Sequence, residues 1–160
     1  MKNVLNEQRK AELNMAVGER SVYEAWQNIA ELRKHQQHWI DTMKAFQLDG
    51  IVCPGGSLPA LRHGLFKDLQ PSFCYTTLFN LLDWPTGTLP VTTVKKEEDG
   101  VYNFSKYNDS YDRAAKKEME KSAGLAIGVQ VASLPYKDEL VLRIMKEIEI
   151  EVDFDAIPAI

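Results

Sequence analysis

The sequence predicts an α/β fold in which a mixed sheet is flanked by helices, and three observations predict it. Apolar stripes at spacings of three and four alternate with short β-branched or apolar runs, in the order helix, strand, helix, strand, helix, strand, helix. Glycine and proline cluster between these segments. The chain has 160 residues, 44% hydrophobic and 26% charged, which is enough to bury one ordinary core.

Each element has a local reason. Residues 1–20 are polar and weakly periodic and read as a helix with loose ends. Ser21 and Glu24 then form an S-x-x-E capping box, whose side chains can satisfy free N–H groups at a helix start. The helix behind it runs to about Phe46. Val22, Trp26 and Ile29 make one stripe, and Leu32, Gln36, Trp39, Met43 and Phe46 make a second. The slip between the two predicts contact with two different surfaces. Ile51-Val52-Cys53 reads as a short buried strand, stopped by Pro54, Gly55 and Gly56. A helix is expected over 72–82. Pro85, Gly87 and Pro90 predict repeated breaks before a β-branched strand at 91–94, and KKEEDG predicts a surface turn. Residues 102–121 are lysine-rich and predict an exposed helix starting near Asp109. Residues 125–133 predict an interior strand. Pro135 is expected in the first turn of a last helix, with Leu140, Val141, Ile144, Met145 and Ile148 on its apolar face. The organisation is a polar segment at 1–20, a body at 21–149 and an acidic loose tail at 150–160.

The totals exclude several classes. A net charge of -4 argues against a nucleic-acid partner, which calls for a basic face. Two cysteines, Cys53 and Cys74, are too few for a disulfide scaffold and point to a reducing compartment. No apolar run approaches the roughly 20 residues that cross a bilayer, and the N-terminus has no apolar core of a signal peptide. An intracellular location is expected, cytoplasmic or peripheral to an internal membrane.

The candidate chemistry concentrates in GIVCPGGSLPALRHG, residues 50–64, where a thiol, a hydroxyl and an imidazole stand within eleven residues. A nucleophile elbow needs G-x-S-x-G, but Pro59 occupies the second glycine's place, so Ser57 reads as a turn serine. Cys53 ends an Ile-Val run and reads as an inert thiol, with a cysteine nucleophile as the alternative. His63 reads as an exposed loop histidine, with a general base as the alternative. His35 and His38 are three apart on the long helix, with Asp41 three further on, and a solvated face explains them better than a metal site does. No cofactor is expected. Taken alone, these residues do not establish an enzyme.

Two blocks add more. NLLDWPTGTLPVTTV, residues 80–94, and KSAGLAIGVQVASLPYKDELVLRIMKEIE, residues 121–149, resemble the last third of amidase-signature hydrolases, in particular the branch that acts on fatty acid amides. The resemblance rests on Asn80, Pro85, Gly87, Pro90, Gly124, Leu125, Gln130 and Pro135, and on Asp83-Trp84-Pro85 followed by PVTTV. It reaches back through 48–64 and the long helix, covering roughly 21–149.

The resemblance implies the C-terminal portion of the amidase-signature fold, incomplete in this chain, with the Ser–cis-Ser–Lys triad in upstream sequence. PGGS has one serine where that signature needs two adjacent ones. The chain alone is therefore expected to be inactive and marginally stable, with strand edges that lack partners. Its implied partners are the missing N-terminal amidase core and a fatty acyl amide substrate, and a homodimer is left open. Substrate-channel residues carried over by position are Phe73, Thr77 and Tyr111, where Thr77 replaces a methionine and Tyr111 a tryptophan. Phe73 and Tyr111 read equally as core aromatics. Lys2, Glu7, Arg9, Lys10 and Glu12 do not resemble the family's apolar membrane-docking helices, which speaks against membrane contact. The alternative is a catalytically inactive, truncated amidase-like module with a binding or degenerate role.

Overall fold

A computed structural model describes residues 18–65, 69–103 and 109–154. The expected helix within residues 1–17 and the end of the tail, 155–160, lie outside the described residues. By internal contacts the chain forms two units, residues 1–41 and 42–160.

The first unit holds most of helix α1, Val22–Ala45. Its capping box is as expected: the Ser21 N–H donates to Glu24 Oε2 at 2.8 Å and the Glu24 N–H donates to Ser21 Oγ at 3.2 Å. The backbone hydrogen bond from Ser21 holds the Glu24 carboxyl below its usual range. The first apolar stripe departs from expectation. Val22, Trp26 and Ile29 remain exposed, whereas Leu32, Gln36 and Trp39 are half-buried.

The second unit is built on three strands: β1, Ile51–Pro54; β2, Thr86–Thr93; and β3, Ala126–Ala132. Their spatial order is β1-β3-β2 and both pairings are antiparallel. Gln130 of β3 stands between Cys53 and Thr88, and Val131 between Val52 and Gly87. Alternation along the strands therefore gives two faces of different composition. One face carries Gly87, Leu89, Val129 and Val131, and the other carries Cys53, Thr88, Gly128 and Gln130.

The helices follow from local signals. A 3₁₀ turn, Gln70–Phe73, leads into α2, Cys74–Leu82, and Asp83 closes it in the left-handed conformation. Asp109 caps α3, Ser110–Met119, by accepting from the Tyr111 and Asp112 N–H groups at 2.9 and 3.1 Å. Helix α4, Asp138–Val152, packs on β2 and β3. There Leu89, Val131 and Val141 form a buried cluster, with Val91, Val129, Ile144, Met145 and Ile148 packed against it.

Three expectations are corrected. First, β2 does not wait for residue 91; it runs from Thr86 through Gly87 and Pro90. Among the described strands β2 pairs only with β3, so a proline without an N–H is tolerated there, and the register is irregular between Pro90 and Thr92. A Cβ on Gly87 would stand 2.1 Å from Met145 Sδ, so the flexible end of Met145 packs in the space that glycine leaves and would have to move aside for a larger residue. Second, Pro135 precedes α4 rather than entering its first turn. Tyr136 takes φ 62°, and the helix begins after Lys137, whose carbonyl accepts from the Leu140 and Val141 N–H groups. Third, α3 is not an exposed helix: Asp112, Ala115 and Glu118, three apart, form a buried face. Its polar members are partnered. Tyr102 Oη donates to Asp112 Oδ1 at 2.9 Å, and Arg62 pairs with Glu118.

Candidate functional site: an open groove on the second face of the sheet

The face opposite α4 is where space opens. Gln130 is buried and donates to the Tyr75 carbonyl at 3.4 Å and toward Cys53 Sγ at 3.7 Å, tying β3 to the start of α2 and to β1. Further along the same strands the side chains shrink to glycine and threonine. A Cβ on Gly128 would meet the Leu89 carbonyl oxygen at 3.0 Å and Thr88 Cγ2 at 3.3 Å, so the strands approach too closely there for any other residue without a shift. The result is an open groove of about 840 Å³ lined by Gly55, Ser57, Phe73, Thr88, Met119 and Ile127 among others. Lys95, Glu97 and Glu98 also line it. That volume is in the range of small-molecule sites, and the wall mixes apolar groups with hydroxyls.

The loop from Gly55 to Leu61 is one wall of this groove. Its first part is tied down by Ser57, whose N–H and hydroxyl both donate to the Ser72 carbonyl, at 2.9 and 3.3 Å. Its far end is tied to α3. The Arg62 N–H donates to Glu118 Oε2 at 3.2 Å, Nε donates to both carboxylate oxygens at 3.1 and 3.2 Å, and Nη2 donates to Oε1 and to the Lys117 carbonyl. Arg62 holds the Glu118 carboxyl below its ordinary range although burial pushes it the other way, and the carboxylate in turn raises Arg62. A second, smaller space of about 350 Å³ lies beside this pair, lined by His63, Leu65, Leu69 and Lys117.

The candidate residues separate accordingly. Ser57 lines the groove but spends its hydroxyl on Ser72, as a turn serine does. Cys53 is half-buried beside the Gln130 amide. His63 is exposed at the smaller space. His35 accepts from the Trp39 indole at 3.1 Å, and Asp41 accepts from Gln37 at 2.7 Å. No group of three or more metal-ligating side chains occurs among the described residues. Phe73 is half-buried on the groove wall. Thr77 is exposed one turn later, its hydroxyl donating to the Phe73 carbonyl at 3.0 Å. Tyr111 is half-buried in the first turn of α3 and is not among the residues that line the groove. Met119, Ile127 and the Arg62–Glu118 pair carry no motif in the sequence, so residue-by-residue reading passes over them.

The sequence model of the Amidase family matches residues 2–142. The chain belongs to the amidase family. Fatty acid amide hydrolase 1 of Caenorhabditis elegans is 37% identical over 134 residues, covering 83% of this chain and 23% of that protein. Fatty-acid amide hydrolase 1 of Sus scrofa is 35% identical over 132 residues, 81% of this chain and 23% of the relative. A solved fatty acid amide hydrolase shares the fold with a TM-score of 0.69 at 19% identity, over 85% of this chain and 24% of that one. This amidase chain therefore spans about a quarter of the length of the relatives it matches. No helix among its described residues is long and apolar enough to cross a membrane.

Proposed function

We propose that this chain is the C-terminal portion of an amide hydrolase acting on fatty acid amides, supplying scaffold and one wall of the acyl channel. The observation that carries the reading is the groove at Phe73, open and part apolar, in an amidase chain two of whose relatives, at 35–37% identity, are named for fatty acid amides. The attacking serine, the bridging serine and the lysine base belong to sequence upstream of these residues, in the division of labour of an activated nucleophile. Phe73 is the channel contact, and Thr77 and Tyr111 extend the wall when the rest of the enzyme closes over it. An apolar acyl chain buried against Phe73 gains stability in proportion to the area it hides from water.

The test uses the purified 160-residue chain and a long-chain fatty acyl amide. The chain is expected to release no amine. It is expected to bind the amide, with Phe73→Ala weakening binding by about tenfold, the size of one buried aromatic contact. Amine release by the chain alone would show that a nucleophile resides here. Binding indifferent to Phe73→Ala would remove the channel wall and leave an inactive module with another binding role.

A further inference from the structure

We propose that the Arg62–Glu118 pair is a clasp that sets the width of the groove. Its two residues sit next to two groove residues: Leu61 precedes Arg62, Met119 follows Glu118, and both Leu61 and Met119 line the larger space. Arg62 and Glu118 themselves line the smaller space. The clasp therefore stands between the two spaces and fixes the distance between the loop wall and α3.

The construction is specific to a closed state. Glu118 is 4% exposed in its side chain, and the carboxylate accepts from the Arg62 backbone N–H and from both arms of the guanidinium fork. Because the backbone N–H takes part, holding the carboxylate also holds the chain of the loop, not only a flexible side chain. Arg62 is 62% exposed and is readily hydrated when it lets go, whereas Glu118 is left buried without a partner. That asymmetry favours the shut arrangement. On its other side the loop is tied by Ser57 to Ser72, so release at Arg62 swings the segment between them and joins the 350 Å³ space to the groove. The consequence for substrate choice rests on the acyl-channel reading: the shut clasp admits slim, unbranched acyl chains and excludes broad ones.

The clasp is tested without any acyl ligand by placing a reporter thiol in the groove with Ala126→Cys. Ala126 is exposed on the central strand, on the same face as Gly128 and Gln130, lines the groove, and belongs to neither wall that the clasp joins. Labelling at this position is separated from Cys53 and Cys74 by peptide mass, and the ratio of bulky to small maleimide incorporation is read. Arg62→Gln is expected to raise the ratio about tenfold, the scale of a lost charge-assisted hydrogen bond acting on loop opening. Glu118→Gln, close to isosteric, is expected to raise it too and carries the test where Arg62→Gln does not fold. The double variant is expected to add nothing further, and Arg62→Lys, which keeps the charge but loses the fork, to rescue only in part. A general loss of stability would speed both reagents alike, so an unchanged ratio in both variants overturns the proposal. The same proteins are then assayed for affinity toward slim and broad acyl amides. A raised ratio with no acyl amide bound by any of them keeps the clasp and removes the channel reading. An unchanged ratio with selective acyl binding does the reverse.

Discussion

The two faces of the three-stranded sheet use the same backbone for opposite ends. Toward α4 the strands present Leu89, Val129 and Val131, packed with Val141, Ile144 and Met145. Toward the groove, one residue out of phase, they present Thr88, Gly128 and Gln130. The first face is filled and supplies stability; the second is hollowed by small side chains and leaves room for a ligand. Period-two alternation makes this separation possible, because a substitution on one face need not touch the other. The proposed acyl channel concerns the hollow face alone, while the filled face would look the same in a protein of any function.

The comparison predicts its largest effect on the filled side. Leu89→Ala removes a buried side chain at the centre of the cluster and is expected to cost about 3 kcal/mol, read as a drop in thermal midpoint, since the cavity left behind adds to the lost burial. A loss under about 1 kcal/mol would mean that α4 does not define the core. The next effect falls at the one place where the two faces meet through the backbone. Gly128→Ala puts a methyl 3.0 Å from the Leu89 carbonyl oxygen, which cannot swing aside as a side chain could. About 1–2 kcal/mol of destabilisation is expected from overpacking, together with a narrower groove floor. An unchanged midpoint would show that the strands are free to separate there.

How much of this was legible in the sequence depended on which signal each element carries. Ser21 and Asp109 announced their helices because capping chemistry is local and needs only neighbours. The cluster on α4 was legible because apolar residues recur at its period. Gly87 and Pro90 misled, since both read as breakers until it is known that, among the described strands, β2 pairs only with β3. The buried face of α3 was hidden for a related reason: Asp112 and Glu118 look like solvent residues, and partners outside the helix, Tyr102 and Arg62, let them be buried. The groove itself was the least legible feature. It is made of glycine, threonine and turn backbone, and no periodicity records the space left by side chains that are absent.

The electrostatic tie between the groove wall and α3 predicts a smaller, pH-dependent effect. Glu118 is depressed from 4.5, chiefly by hydrogen bonds from Arg62. A carboxyl with a lowered folded-state pKa adds stability above its unfolded value, and that stability disappears as the pH falls through the folded value. The native chain should thus lose stability steadily below the ordinary glutamate range, as followed by urea midpoints. Glu118→Gln should start lower at neutral pH and show a shallower acid slope. Parallel slopes in the two proteins would mean that Arg62 does not perturb this carboxyl. Tyr102 gives the alkaline counterpart. Burial, reinforced by Asp112, pushes its phenol up to about 12. The associated stability is full below 10 and is lost between there and 12, and the tyrosinate absorbance of this residue should appear after that of exposed tyrosines.

The smallest effect is the most pointed test of the two-face argument. Thr88 is exposed on the groove, opposite buried Gln130 and only one residue from Leu89. Thr88→Val exchanges a hydroxyl for a methyl, keeps the branched shape that a strand favours, and leaves in place a carbon equivalent to Cγ2, which lies within contact range of Gly128. Stability should move by no more than about 0.5 kcal/mol, as at surface positions free of special strain. Groove chemistry should move more than stability does, because the wall becomes more apolar where an acyl chain would lie. Affinity for a long-chain acyl amide is therefore expected to rise about twofold to threefold, the return on one methyl taken out of water. A midpoint that falls as far as that of Leu89→Ala would break the comparison, since the hollow face would then be bearing the load assigned to the filled one. An unchanged midpoint with weaker acyl binding would keep the two faces distinct and would assign the groove a polar occupant.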